Sequence, residues 1–145
     1  MYYCIRFSPK IRQALIDHTM KDPTKECGGF VYGKVWRTEN GVMCDIDAIY
    51  YEDKKGTNNR FVFTPSYIRN GRKAAWKLDG MEFMGTYHSH GEYPARFSKE
   101  DRESLQAYFG RGKVTLIYSP KHKHLIGEFM DMDGKSYKAK LLSKK

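Results

Sequence analysis

The sequence predicts an α+β protein, of the α/β-sandwich type, in which a mixed β-sheet is flanked by helices. Three observations carry that prediction. Ser8-Pro9 and Thr64-Pro65 each place a capping residue before proline ahead of apolar residues at helical spacing. Apolar runs of strand length recur before, between and after these segments. Turn signals such as Glu39-Asn40-Gly41 and Asp133-Gly134 separate several of the runs.

In order, Ile11, Leu15 and His18 predict a first helix over about 9–20, which Pro23 ends. The glycine-bearing run Glu26 to Trp36 and the run Gly41 to Tyr51 read as two strands. Asp53 to Arg60 is a polar loop, and Phe61 to Phe63 reads as a short strand. Ile68, Gly71, Ala75 and Leu78 mark one face of a second helix, with Gly71 its weak point. Met81 to His90 is a buried strand and Ser98 to Phe109 a third helix. Lys113–Ser119, His124–Asp131 and Ser136–Leu142 are three closing strands.

At 145 residues, with 40% hydrophobic and 30% charged, the composition suits one domain over residues 1–145 with a packed core. No apolar run approaches the roughly 18–20 residues that span a bilayer, and the start Met1-Tyr2-Tyr3-Cys4-Ile5-Arg6 is unlike a signal peptide. The expected setting is the cytoplasm. The three cysteines include no CxxC pair, which argues against a disulfide framework or a thiolate zinc site and for small core residues. A net charge of +9 favours acidic partners. The basic residues are scattered, except at Lys121–Lys123 and Lys138–Lys145, and no RNA-binding signature accompanies them. Nucleic acid is therefore not the expected partner.

The segment from Tyr87 to Asp101 carries the chemistry. On a strand, residues i and i+2 share a face, so His88 and His90 present two imidazoles side by side. A catalytic zinc takes three protein ligands of this nitrogen and carboxylate type and keeps a position for water. A helix starting near Ser98 would put Asp101 on the face of Leu105 and Tyr108, where an unpaired carboxylate is costly unless it binds metal. Each part has a plainer reading alone. Ser98-x-x-Asp101 is a capping box, and an isolated His-x-His is weak evidence. Their succession, His-x-His, seven residues, Ser-x-x-Asp, is far harder to obtain by accident. His122-x-His124 lacks a third ligand, His18 reads as a packed core histidine, and Asp131-x-Asp133-Gly134 reads as a hairpin turn rather than a calcium loop.

This pattern, with Lys25-Glu26-Cys27-Gly28-Gly29-Phe30-Val31-Tyr32-Gly33 upstream, resembles the signature of the JAMM/MPN+ metallopeptidases, prokaryotic JAB-domain proteins included. The likeness runs from the first helix to the strand near Ser119. It implies an MPN-type core of the cytidine-deaminase-like kind. It implies one zinc ion per chain on His88, His90 and Asp101, Glu26 as the general base, and Ser98 as hydrogen-bond donor to the developing oxyanion. It also implies a ubiquitin-like protein or its conjugate as substrate, cleaved after its C-terminal glycine. Gly91 and Phe97 stand where the family usually has proline. Both bear on loop stiffness, and neither is a ligand. The alternatives are a non-catalytic scaffold or binding protein of the same fold, and a DNA-associated member of it.

Overall fold

The computed structural model describes residues 2–57, 60–91, 94–95 and 112–144. The elements run β1 (Tyr2–Phe7), α1 (Pro9–Met20), β2 (Gly28–Thr38), β3 (Gly41–Tyr50), α2 (Pro65–Ala74), β4 (Glu82–Ser89), β5 (Val114–Ser119), β6 (His124–Met130) and β7 (Ser136–Ser143). A single 3-10 turn, Ala75–Lys77, follows α2. The third helix expected at Ser98 to Phe109 falls outside the described residues.

The expected α+β sandwich is corrected. The seven strands form a closed barrel in the order β1-β3-β2-β4-β5-β6-β7, with two short α-helices among the described residues. The closing element is β1, which was not expected as a strand. It pairs in parallel with β3, Cys4 facing Met43, and in parallel with β7, Cys4 facing Lys140. Without β1 the sheet has two open edges, and a sheet between helices is the natural reading. With it, every edge is paired.

A charged clasp sits on that seam. Asp45 of β3 is fully buried and accepts from Nε of Arg6 at 2.7 Å and Nη2 at 2.8 Å. Lys144, just past β7, brings Nζ to 3.2 Å. Burial pushes the Asp45 carboxyl up, but these hydrogen bonds outweigh it and hold the group below the ordinary carboxylate range.

Strand alternation assigns the two faces of the barrel. Ile5, Val31, Cys44, Tyr87, Leu116, Phe129 and Ala139, one or more from every strand, meet in the interior. Leu15 of α1 joins them, with Ile11 and Ile16 packed alongside. Phe30 and Tyr32 point outward, where Tyr67 and Ile68 of α2 cover them. Both helices start as their sequences require. Ser8 Oγ accepts from Ile11 N at 3.2 Å, and Thr64 Oγ1 accepts from Tyr67 N at 3.2 Å.

Gly71 is not merely a weak point in α2. A Cβ there would lie 2.6 Å from the Phe30 ring, so glycine lets the helix approach the sheet. Tyr32 donates its hydroxyl to the Gly71 carbonyl at 2.5 Å. Phe61 and Phe63, expected as a strand, are irregular. Their rings pack around Tyr67, with centroids 6.2 and 5.9 Å from its own. All three cysteines are free and buried. No helix among the described residues is long and apolar enough to cross a membrane.

Candidate functional site

Antiparallel pairing of β2 with β4 builds the site. Gly28 faces His88 and Gly29 faces Tyr87. The register continues one step past β2, where Ser89 N donates to the Cys27 carbonyl at 2.9 Å. One more step of the same register, beyond the last paired residues Gly28 and His88, would set Glu26 opposite His90. Because cross-strand partners and alternate residues share a face, Glu26, His88 and His90 lie on the outward side together. Glu26 and His88 are buried, and His90 is partly so.

The two imidazoles are adjacent, with ring centroids 5.2 Å apart and planes at 46°. Two imidazoles bound at about 2.1 Å to one tetrahedral zinc have centroids about 5 Å apart, so the spacing fits this metal. His90 Nδ1 lies 2.9 Å from the Pro94 carbonyl. A carbonyl only accepts, so Nδ1 carries the proton and the lone pair of the neutral ring lies at Nε2. Such a hydrogen bond fixes the tautomer and aim of many metal-binding histidines. Among the described residues, no three His, Cys, Asp or Glu side chains form a metal cage. Glu26 therefore does not complete one. Asp101, the expected third ligand, and Ser98, the expected oxyanion donor, lie outside the described residues.

Several neighbours hold this arrangement. Ser89 points inward, and its Oγ accepts the Cys27 N–H at 3.0 Å, where a main-chain carbonyl would ordinarily serve. Glu26 is also tied on its other side: its N–H donates to the Thr57 carbonyl at 2.8 Å, and its carbonyl accepts from Gly56 N at 2.7 Å. His90 N donates to the Tyr118 carbonyl of β5 at 3.0 Å. Tyr87, between the site and the interior, packs its ring where a Gly29 Cβ would lie, at 2.6 Å.

His18 is a core histidine, as its place on α1 suggests. Its Nδ1 shares a hydrogen bond with the Tyr87 hydroxyl at 2.7 Å, and its ring stacks on Tyr51 with centroids 3.6 Å apart. Burial, helped by the Lys21 cation, pushes its pKa down to about 4. Burial likewise raises the Cys27 thiol. His122 lies in the turn before β6 and His124 begins that strand, both exposed. Asp131 Oδ1 accepts from the backbone of Asp133 and Lys135, each at 2.9 Å, as a hairpin turn requires.

Sequence reasoning found the paired histidines through their i, i+2 spacing. It missed Pro94, whose carbonyl aims His90, because no pattern predicts a loop's return. It also missed the bond that Ser89 makes to Cys27 N.

No curated protein sequence matches the chain. The solution structure of protein DSY2949 from Desulfitobacterium hafniense is similar in fold, with a TM-score of 0.72 at 21% identity. The match covers 97% of this chain and 93% of that one. The family model for prokaryotic homologs of the JAB domain matches residues 8–132, a span that holds Glu26, His88, His90, Ser98 and Asp101. This chain belongs to that family of prokaryotic JAB-domain homologs.

Proposed function

We propose that the chain is a zinc-dependent peptidase or isopeptidase that hydrolyses the bond after the C-terminal glycine of a ubiquitin-like protein. The observation that supports it best is the shared outward face of Glu26, His88 and His90, with the two rings at the spacing one zinc requires. In this reading His88, His90 and Asp101 hold the metal. When bound, the metal supplies Lewis acidity that brings the pKa of a coordinated water from about 16 towards about 7.

The chain's own groups do the rest. Glu26 accepts the proton of the attacking water and returns it to the leaving amine. Its backbone is fixed on both sides, by Cys27–Ser89 and by Gly56–Thr57, so the carboxylate needs little reorganisation. Ser98 donates to the developing oxyanion, a contact worth about 3 kcal/mol at comparable sites. Pro94 keeps the His90 proton at Nδ1.

The test is cleavage of a panel of ubiquitin and ubiquitin-like fusions by zinc-loaded protein, with and without chelator, beside Glu26→Gln. Cleavage after the terminal glycine is expected, lost with chelator and lowered about 10²–10⁴-fold in Glu26→Gln, which keeps its zinc. Near-normal turnover by Glu26→Gln would remove the general base from the mechanism. No cleavage by zinc-loaded protein across the panel would remove the substrate class.

A further inference from the structure

Folding does not account for the solvent face of α2. Residues 60–81 carry the cations Arg60, Arg69, Arg72, Lys73 and Lys77 against one acid, Asp79. Spread along the sequence, they gather only when the helix forms. Arg69, Arg72 and Lys73 fall at i, i+3 and i+4, all exposed, while Tyr67, Ile68 and Gly71 face the sheet. Trp76 and Lys77 follow in the 3-10 turn. Trp76 keeps 82% of its surface in water, more than any other exposed large apolar side chain among the described residues. Like charges three and four positions apart destabilise a helix, and the helix dipole compensates only in the last turn, at Arg72 and Lys73. Arg72 leans back over Phe83, its guanidinium carbon 5.6 Å from the ring centroid. Arg69, Lys73 and Lys77 make no ion pair among the described residues, and no described ring stacks on Trp76.

We propose that this face binds a single-stranded nucleic acid, with a base stacked on Trp76 and phosphates held by Arg69, Lys73 and Lys77. Such strands bind where an exposed aromatic ring stands among cations, because every base has a face to stack. A duplex keeps its bases stacked on one another and offers no free face to the indole. From Arg69 to Trp76 the helix rises about 10 Å. That length spans about three phosphates of a stacked strand, at about 3.4 Å each.

Two other acidic partners suit the face less well. A carboxylate-rich peptide would satisfy the cations but not Trp76, since the face of an aromatic ring carries partial negative charge and repels carboxylates. An anionic membrane takes a helix that sinks a broad apolar side into the lipid. The apolar side of α2 is already spent on the barrel, where Tyr67 and Ile68 join Phe30 and Tyr32. The net charge of +9 draws a polyanion to the molecule, and this face gives it somewhere to stack. Binding here does not require the hydrolysis proposed above, so either can fail alone.

The experiment is fluorescence titration of the full chain carrying Trp36→Phe, which leaves Trp76 as its sole tryptophan. The probes are a short oligothymidylate, a mixed-sequence duplex, an Asp/Glu-rich peptide and vesicles containing phosphatidylserine. The expected result is that the oligothymidylate quenches Trp76. Its affinity should fall with salt on a log–log slope of about −2, as about three phosphate contacts at about −0.7 each require. Followed instead by anisotropy of a labelled oligothymidylate, Trp76→Ala should weaken binding about tenfold and Trp76→Phe less. Arg69→Glu/Lys73→Glu should abolish the quench. Lys138→Glu/Lys140→Glu changes the net charge equally on exposed positions of β7 and should leave the quench in place. Circular dichroism checks that each variant is folded. No quench by the oligothymidylate, equal losses in the two double variants, or full affinity in Trp76→Ala would overturn the proposal. Tighter Trp76-dependent binding of the duplex, the peptide or the vesicles would overturn the choice of a single strand.

Discussion

Tyr87 and His88 are neighbours on β4, yet they serve opposite faces of one sheet. The interior face closes a histidine away. His18 reaches Tyr87 from α1, stacks on Tyr51 and is held neutral by burial. The outward face gathers His88 and His90 beside Glu26, with the His90 ring aimed by a carbonyl rather than absorbed by packing. The same side chain is a core filler in one place and a ligand candidate in the other. What differs is the neighbourhood: aromatic rings and a hydroxyl inside, a second imidazole and a carboxylate outside.

The widest separation between the faces should appear on removing one histidine from each. His88→Ala is expected to lower zinc affinity more than about 100-fold, since loss even of a ligand's supporting partner costs 10–100-fold. It should cost the metal-free protein less stability than His18→Ala does, since His88 lies at the end of β4. His18→Ala should do the reverse, costing about 2–4 kcal/mol of stability through the lost ring while zinc binding survives. Metal analysis and urea titration of both variants check this. If His88→Ala unfolds the metal-free protein, the outward face is structural and the contrast collapses.

Acid should sharpen the contrast. His18 has its pKa lowered from 6.5 to about 4, chiefly by burial and then by Lys21, with Asp53 opposing. A histidine depressed in the folded state binds fewer protons there than in the unfolded chain. Stability therefore rises with pH through this window. The contribution is complete above about pH 6.5 and is lost as pH falls towards 4, by about 2–3 kcal/mol in all. His18→Phe removes the titrating ring, so urea midpoints measured from pH 7 to pH 4 should fall less in the variant than in the parent. Parallel curves would mean that His18 is not the group that acid reaches first.

How much of this was legible beforehand depended on range along the chain. Both described helices start where they were read, because Ser8-Pro9 and Thr64-Pro65 are local signals, but the second was read on to Leu78, whereas α2 ends at Ala74 and a 3-10 turn follows. His88 and His90 were legible for the same reason: two residues on one strand fix a face. Barrel closure was not legible. Tyr2–Phe7 is six residues long, and its partners lie about forty and about 135 positions away in parallel register, which no local periodicity reports. Phe61 to Phe63 misled in the other direction, since an aromatic run suits a strand and equally suits a loop packed on Tyr67.

Ser89 joins the two faces and should show a smaller effect. Its side chain points inward, but its bond to Cys27 N steadies the segment that carries Glu26 outside. Ser89→Ala leaves that buried N–H without its acceptor, at a cost of about 1–2 kcal/mol. If the positioning matters, the turnover rate falls while zinc affinity holds, and Ser89→Thr restores part of it. Unchanged turnover at reduced stability would confine Ser89 to the fold.

The smallest effect should come from Thr115, which tests whether polar groups on the outward face are kept for the site alone. Thr115 faces Thr86, two residues before His88, on the same side of the sheet. Its Oγ1 is buried and has no hydrogen-bond partner among the described residues. Valine has nearly the same shape and no polar atom, so Thr115→Val removes a desolvation cost and should raise stability by about 0.5–1 kcal/mol. The measurement is the urea midpoint at constant m-value, beside zinc affinity. A gain in stability with zinc binding unchanged would limit the functional polarity of this face to the strand ends at Glu26, His88 and His90. A loss of stability would mean that the Thr115 hydroxyl is bonded in solution, and the outward face would then be polar further into the sheet than its two histidines indicate.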